Sequence, residues 1–189
     1  MEEINKEVHK AYEIIKNGGV ILYPTDTVWG LGCDATNEEA VKKIYAIKKR
    51  VESKSMIVLV HSDRLLYQVF KNIPPVAFDL LDCAEKPTTL ILDQPKTVAK
   101  NLIAEDDSLG IRIVTTPFCF KLIERMKKPL VSTSANISGV ATPTRFSEIS
   151  KEIIEAVDYV VKLDQEKVCK KSSTVIKLTN DSQVKIIRK

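Results

Sequence analysis

The chain has 189 residues, of which 44% are hydrophobic, 29% charged and 6% aromatic, and its formal net charge is +4. This length fits one domain of ordinary size, and the apolar fraction can fill a core, which excludes a disordered chain. A charge of +4 permits an acidic ligand but is far below that of a dedicated nucleic-acid-binding protein. We expect a single domain over 1–189.

The cysteines and the N-terminal segment bear on the compartment. Cys33, Cys83, Cys119 and Cys169 are widely scattered and form no CxxC pair, which favours free thiols over a disulfide framework. The chain begins with acidic residues where a signal peptide would be basic and then apolar. Its longest apolar runs are about a quarter of a membrane span. These features predict a cytoplasmic protein without membrane association.

The first third of the chain alternates helical and strand patterns. Apolar residues at helical spacing predict a first helix that ends at Gly18. A short buried strand follows over 20–23, and turn residues then predict a loop to about Asp34. A capping-box pattern at Thr36 opens a second helix, which ends near Arg50.

The rest of the chain continues this alternation. In chain order, the pattern predicts a strand over 56–60, helices over 62–70 and 75–83, strands over 88–92 and 109–114, a helix over 117–126, a strand over 130–131, a helix from Ser147 to about Ala156, and strands over 159–163, 174–178 and 184–188. The last two strands are joined by a plausible hairpin turn. Interleaved helices and strands predict an α/β protein with a mixed parallel/antiparallel sheet and flanking helices.

Some familiar motifs are absent or incomplete. Gly30–Leu–Gly32 begins a G-x-G-x-x-A match, but a dinucleotide site needs these glycines directly after a strand, and the predicted strand ends at Tyr23. There is no P-loop motif. His9 and His61 are the only histidines, too few and too far apart for a histidine-rich metal site, and nothing in the sequence assembles a catalytic triad around His61.

Two polar segments in the first third could carry chemistry. Segment 23–32 leaves a buried strand and brings together two hydroxyls, a carboxylate and an indole, although the same residues would also make a capped turn. Segment 47–54 holds four cations, and Lys and Arg are the side chains that neutralise phosphate oxygens. A solvated helix end stabilised by the helix dipole is an alternative explanation of this second segment.

A third polar segment, 129–139, runs from a predicted buried strand directly into a cluster of hydroxyls and an amide. Ligands of α/β sheets bind beyond the carboxyl ends of strands, and a helix cap would need only one such residue. Arg112 stands alone in the apolar run 109–114 and requires a partner, either a protein carboxylate or an anionic ligand. The polar residues of the segment are Ser132, Thr133, Ser134, Asn136 and Ser138.

Together these segments resemble the YrdC-like threonylcarbamoyl-AMP synthases of the TsaC type. The resemblance rests on Tyr-Pro-Thr-Asp-Thr-Val-Trp-Gly-Leu-Gly at 23–32, Ile-Lys-Lys-Arg at 47–50, Ser-Leu-Gly-Ile-Arg-Ile at 108–113 and Pro-Leu-Val-Ser-Thr-Ser-Ala-Asn-Ile-Ser-Gly at 129–139. It implies a twisted α/β sheet around a deep, positively charged cleft, in the short single-domain form. It also implies that L-threonine, bicarbonate and ATP yield threonylcarbamoyl-AMP and pyrophosphate, and that downstream proteins use the product to modify a tRNA adenosine.

The resemblance further implies roles for individual residues. Lys48, Arg50 and Lys54 match the positions that hold ATP phosphates and act in catalysis, with Mg²⁺ accompanying ATP and no metal site on the protein. Positions at the threonine site are matched by Thr25, Arg112, Thr133 and Ser173. Positions at the nucleotide site are matched by Lys48, Arg50, Ser134, Asn136 and Arg188.

The sequence departs from the family pattern at single positions, and one competing hypothesis stays open. Trp29 replaces the usual Tyr or Phe, Ser55 replaces a proline, and Val114 stands where proline is common, which affects the expected loop geometry rather than the chemistry. The competing hypothesis is an RNA-binding module that uses the same basic cleft without catalysis. The small charge excess and the lack of an aromatic platform argue against it. Weak RNA binding is compatible with either hypothesis, since family members have been linked to RNA.

Overall fold

Six helices flank a central sheet in the computed structural model, which describes residues 1–50, 56–169 and 172–189. Within these ranges the α-helices are α1 (Glu2–Lys16), α2 (Glu38–Lys48), α3 (Asp63–Val69), α4 (Val76–Asp82), α5 (Pro117–Met126) and α6 (Lys151–Ala156). The strands are β1 (Ile21–Tyr23), β2 (Gly30–Gly32), β3 (Ile57–Val60), β4 (Thr88–Asp93), β5 (Ser108–Ile113), β6 (Leu130–Ser134), β7 (Tyr159–Val160), β8 (Thr174–Leu178) and β9 (Val184–Arg188).

The described strands form one sheet in the order β7-β1-β2-β6-β3-β5-β4-β8-β9. The pairs β1–β7, β3–β5 and β4–β8 are parallel. The pairs β1–β2, β2–β6, β3–β6, β4–β5 and β8–β9 are antiparallel. The predicted mixed α/β sheet is therefore confirmed, including the antiparallel hairpin at its C-terminal end.

The core lies where the helices cover the sheet. The central strands β3 and β6 are buried over most of their length, which agrees with their runs of aliphatic residues. The helix α1 buries Val8, Ala11 and Ile15, at the spacing of one helical face, and packs beside α5. Burial of these apolar side chains stabilises the frame from which the polar loops project.

Three strands differ from the sequence-based prediction. Segment 24–34 was expected to be a loop, but residues 30–32 form β2, which pairs with both β1 and β6. The strand predicted over 130–131 continues to Ser134, because the backbone of these polar residues still pairs with β2 and β3. Conversely, the strand predicted over 159–163 is limited to 159–160.

Two helix starts also differ. Asn37, not Thr36, is the N-cap of α2, and its side chain accepts a hydrogen bond from the backbone N–H of Ala40. Thr36 instead binds the Asp34 carboxylate through its N–H and its hydroxyl. The helix expected from Ser147 begins at Lys151, since a short 3-10 turn occupies Phe146–Glu148.

All four cysteines are free, as the sequence predicts, and three of them are buried. None of the helices in the described ranges is long and apolar enough to cross a membrane.

Candidate active site

A polar cavity of about 220 Å³ lies where several predicted site residues meet. The ends of β1, β5, β6 and β9 and the segment before β8 contribute to its wall. Seven residues assigned by resemblance line it: Thr25, Arg50, Arg112, Thr133, Ser134, Ser173 and Arg188. Among the described candidates, Lys48 and Asn136 do not line it, and Lys54 lies outside the described residues.

The loop after β1 presents two hydroxyls to this cavity. Thr25 Oγ1 accepts hydrogen bonds from the backbone N–H groups of Thr27 and Val28, at 3.0 and 3.2 Å, and donates to the Val28 carbonyl at 2.7 Å. The hydroxyl oxygens of Thr25 and Thr27 are 3.0 Å apart. This local network closes the loop into a turn, which the sequence also allowed, and Thr25 and Thr27 both line the cavity.

Arg112 on β5 is buried beside that loop. Its side chain is 3% exposed, and Nη2 donates to Asp26 Oδ1 at 2.9 Å. Nη2 also lies 3.4 Å from Thr27 Oγ1, whereas the buried Nε has no hydrogen-bond partner. The ion pair offsets the cost of burying the guanidinium, while Nε is a buried donor without a hydrogen-bond partner.

Lys48 occupies a different position from the one its motif suggests. Its side chain is almost fully buried, and Nζ donates to the carbonyl of Ser134 and to the carbonyl and Oδ1 of Asn136. The Lys48 carbonyl in turn accepts from the N–H of Ser138 at 2.8 Å. Burial, with a smaller effect of Arg50, lowers the pKa of Lys48 to about 8. In this structure, then, Lys48 fixes the loop after β6 instead of projecting into the cavity.

Asn136 belongs to the same loop network. Its Oδ1 accepts from the hydroxyl of Ser134, and its Nδ2 donates to the carbonyls of Ile137 and Val140, the latter at 2.6 Å. These bonds use the amide to shape the loop. Ser134 therefore presents its side chain to the cavity from a backbone that Lys48 and Asn136 hold in place.

The opposite wall is built by β8 and β9. The hydroxyls of Ser173 and Thr89 are 2.8 Å apart and buried, and Arg188 Nε donates to the Ser173 carbonyl at 2.9 Å. A register shift in the β8–β9 ladder places Arg188 opposite Val175 while Ile186 is opposite Ile176. This bulge turns Arg188 toward Ser173, as bulges near functional sites commonly re-aim a side chain.

Sequence reasoning missed several residues that shape the cavity. Thr27 and Gly30 line it, and Asp26 holds Arg112, yet the motif gave a role only to Thr25. A signal for Asp26 was present, because a buried Arg112 required either a protein carboxylate or an anionic ligand, and Asp26 stood in a segment that could carry chemistry. Thr89 was given no role, because Glu85-Lys-Pro-Thr-Thr89 resembles the family's Trp-Pro-Gly-Pro-x-Thr segment only weakly.

Other nucleophiles and bases are remote or unreactive. Burial raises the pKa of Cys119, which lies beneath the loop with Sγ 3.6 Å from the Pro24 carbonyl, to about 12. It is thus a neutral thiol at physiological pH. His9 and His61 do not line the cavity. The described lining therefore supplies hydroxyl groups and guanidinium donors, which bind anions and stabilise negative charge.

Comparison with known proteins identifies relatives across almost the whole chain. The family model of the Sua5/YciO/YrdC domain, described as telomere recombination, matches residues 13–189. A threonylcarbamoyl-AMP synthase from Pseudoalteromonas translucida is 34% identical over 80% of this chain and 82% of its own length. A Methanocaldococcus jannaschii protein, provisionally given the same name, is 35% identical over 97% of this chain and 88% of its own.

Solved structures agree with this assignment. YciO from E. coli has a TM-score of 0.83 and 28% identity, covering 96% of this chain and 88% of its own. Sua5 from P. abyssi, solved in complex with L-threonine, has a TM-score of 0.80 and 29% identity over 90% of this chain. This chain spans about half of the Sua5 chain, 50%. The fold, the motifs and these matches together show that the chain belongs to the Sua5/YciO/YrdC family.

Proposed function

We propose that the chain is an L-threonylcarbamoyl-AMP synthase, which joins L-threonine, bicarbonate and ATP. The observation that carries this proposal is that one cavity is lined by both guanidinium and hydroxyl side chains. Arg112 is buried and Arg50 is half-buried, and the hydroxyl residues are Thr25, Thr133 and Ser173. Such a cavity suits a small substrate with a carboxylate at one end and a phosphate chain at the other. The names of the curated relatives support the same reaction.

The substrates divide between two regions of the cavity. Arg112 takes the carboxylate of threonine, while Thr25 and Ser173 contact the amino acid. Arg50, Ser134 and Arg188 take the nucleotide, with Lys54 as a further phosphate contact. Lys48 supports the phosphate region through the Ser134 loop, since all three of its donors already contact that loop. Asn136 acts in the same supporting way.

The reaction needs positioning more than a strong base. The amine of threonine and bicarbonate condense to a carbamate with loss of water, which forms the N–C bond. A carbamate oxygen then attacks the α-phosphorus of ATP, the bond from that phosphorus to the bridging oxygen breaks, and pyrophosphate leaves. The carbamate is already an anion, so the protein contributes by alignment and by stabilising phosphate charge.

Mg²⁺ is proposed as a companion of ATP. The described lining of the cavity includes no carboxylate, and no group of three potential metal-ligating side chains occurs among the described residues. The lining residues that the structure describes offer hydroxyls and guanidinium groups, whereas Mg²⁺ prefers carboxylate and phosphate oxygens. The ion would therefore enter on the phosphates of the substrate.

The proposal also includes the fate of the product. A mixed anhydride of a carbamate and a phosphate is an activated acyl donor, so a downstream enzyme must transfer the threonylcarbamoyl group to a nucleophile. We propose the tRNA-modification proteins implied by the family resemblance as these partners.

Pyrophosphate release with each substrate omitted in turn tests the proposed function. Release should require threonine, bicarbonate and ATP together. Release that is unchanged without threonine would reject the synthase assignment. Salt-dependent RNA binding without any nucleotide turnover would favour the RNA-binding alternative instead.

A further inference from the structure

Asp26 and Arg112 form an ion pair but line two different cavities. Arg112 lines the main cavity, whereas Asp26 lines the second, which has a volume of about 440 Å³ and is also lined by Asp63 and Asp82. The ion pair of 2.9 Å between Asp26 and Arg112 therefore forms part of the wall between the two. Asp26 thus binds the guanidinium without itself lining the main cavity.

The backbone that carries Asp26 is held by its neighbours. Thr25 Oγ1 accepts hydrogen bonds from the backbone N–H groups of Thr27 and Val28, and these bonds close the turn around Asp26. Arg112 Nη2 contacts both Asp26 Oδ1 and, at 3.4 Å, Thr27 Oγ1. One nitrogen of the guanidinium is thus tied to the loop that also presents Thr25 and Thr27 to the main cavity, while Nε is unpartnered.

A guanidinium recognises a carboxylate through a planar fork, so its orientation decides whether two parallel hydrogen bonds can form. Arg112 is a residue of β5, and because its side chain is flexible, the orientation of the guanidinium plane depends on a second contact. Among the described residues, Asp26 is the carboxylate that forms an ion pair with it.

We propose that Asp26 is a positioning residue for the amino-acid substrate, acting through Arg112. It holds the guanidinium plane so that the remaining donors meet the α-carboxylate of the amino acid, and it links this anchor to the loop carrying Thr25 and Thr27. This inference rests on the proposed function, in which Arg112 binds that carboxylate. Its consequence is selective: threonine binding depends on Asp26, and ATP binding does not.

Steady-state kinetics of Asp26→Asn, with threonine and ATP varied separately, tests this role. We expect the KM for threonine to rise about tenfold or more, the KM for ATP to stay within about twofold, and kcat to change less than the threonine KM. Asp82→Asn is the matched control, because Asp82 lines the second cavity and forms no ion pair within the described part of the chain. It should leave both KM values unchanged.

A conservative variant and a double-mutant cycle separate positioning from general damage. Asp26→Glu keeps the charge and should restore part of the threonine affinity, and it carries the test if Asp26→Asn does not fold. In an Arg112→Gln background, Asp26→Asn should add little, because its effect passes through Arg112. Equal increases in both KM values, fully additive effects, or wild-type kinetics in Asp26→Asn would overturn the inference.

Pyrophosphate release by the wild-type protein shows whether the positioning role of Asp26 has failed or the proposed function itself. If wild-type pyrophosphate release does not depend on threonine, the synthase assignment fails and the role of Asp26 falls with it. If wild-type release depends on threonine but Asp26→Asn matches it, only the positioning role is contradicted.

Discussion

Two buried cations in this protein show how neighbouring residues decide what a charged side chain does. Arg112 and Lys48 are both nearly inaccessible to solvent, but their partners differ. Arg112 has a carboxylate on one side and an unpartnered Nε, whereas the donors of Lys48 contact carbonyl and amide oxygens of one loop. Under the proposed function the first binds an anion, whereas the second stabilises the loop that carries Ser134.

Arg50 should be the more direct phosphate contact of the Lys-x-Arg pair. Removing it in Arg50→Ala should weaken ATP binding by about 2–3 kcal/mol, or roughly 30- to 150-fold, because a charge-assisted hydrogen bond is lost. Calorimetric titration with ATP measures this change. Lys49→Ala is the control, since Lys49 is exposed and pairs with Glu152 at 2.6 Å. An unaltered ATP affinity in Arg50→Ala would reject the assignment.

The buried ammonium of Lys48 predicts a pH dependence of stability. Burial lowers its pKa from 10.5 to about 8. Between these values the unfolded chain retains a proton that the folded protein has lost, so this group's contribution to stability rises with pH. The free energy of unfolding of the wild type, relative to Lys48→Met, should therefore increase by about 2 kcal/mol between pH 7 and pH 10.

Urea unfolding of both proteins at several pH values checks this difference. Groups that titrate identically in the two proteins cancel in the subtraction. A difference that stays constant or falls between pH 8 and pH 10 would show that Lys48 does not have the lowered pKa.

At the scale of elements, the short strand β2 connects the loop of Thr25 to the loop of Ser134. It pairs with β1 on one side and with β6 on the other. A Cβ atom at Gly32 would lie 2.7 Å from the Tyr23 ring and 2.8 Å from the Val131 carbonyl, whereas at Gly30 the nearest atom would be the Thr133 carbonyl at 3.3 Å. The two glycines therefore have different roles. Gly32 lets the Tyr23 ring and the Val131 backbone approach β2 closely, and Gly30 leaves space beside the cavity.

A pair of alanine substitutions tests this division. Gly32→Ala should lower the free energy of unfolding by about 1–3 kcal/mol, since the backbone and a buried ring must move apart. Gly30→Ala should cost less stability but weaken threonine binding, because the added methyl lies beside Thr133 and Thr25. Thermal unfolding and threonine titration of both variants provide the comparison. A greater loss of stability in Gly30→Ala than in Gly32→Ala would contradict it.

The elements that were hardest to predict are those with little side-chain periodicity. A three-residue strand containing Gly30 and Gly32 has no alternating pattern, so β2 was predicted as loop. The last residues of β6 are polar and resemble a loop, yet their backbone completes the ladders with β2 and β3. Longer elements with regular apolar spacing, such as α1 and α5, were predicted close to their observed bounds.

Most residues of the candidate site could be predicted from the sequence, but the hydrogen bonds and ion pairs that join them could not. The family resemblance indicated seven residues that line the cavity. Of these, Thr133 and Ser134 were also indicated by the rule that polar residues after a buried strand form a binding crevice. The burial of Lys48 was missed, although Ile44 and Lys48 are four residues apart on the buried face of α2. The partnership of Asp26 with Arg112 depends on the approach of β5 to the loop after β1, which no local pattern encodes.

For the whole molecule, the net charge of +4 is explained better by local placement than by a nucleic-acid surface. Five cations lie in or near the sequence motifs, Lys48, Lys49, Arg50, Lys54 and Arg112, and without them the net charge of +4 would be −1. The structure assigns Lys49 to a surface ion pair with Glu152 and Lys48 to the loop network. In the described part of the chain, the cations on the cavity wall are Arg50, Arg112 and Arg188.

Three guanidinium groups around one polar cavity favour a small anionic substrate over an extended polyanion. The central claim is therefore that, at this cavity, the protein catalyses attack of a threonine carbamate on the α-phosphorus of ATP. Detection of the adenylate itself tests that claim more directly than pyrophosphate release, because it identifies all three components of the product.

Mass spectrometry of the product formed from threonine, ATP and either ordinary or ¹³C-labelled bicarbonate is the decisive measurement. The account predicts threonylcarbamoyl-AMP that gains one mass unit with the labelled bicarbonate. Formation of AMP, ADP or threonyl-AMP without a labelled carbamoyl adenylate would contradict it.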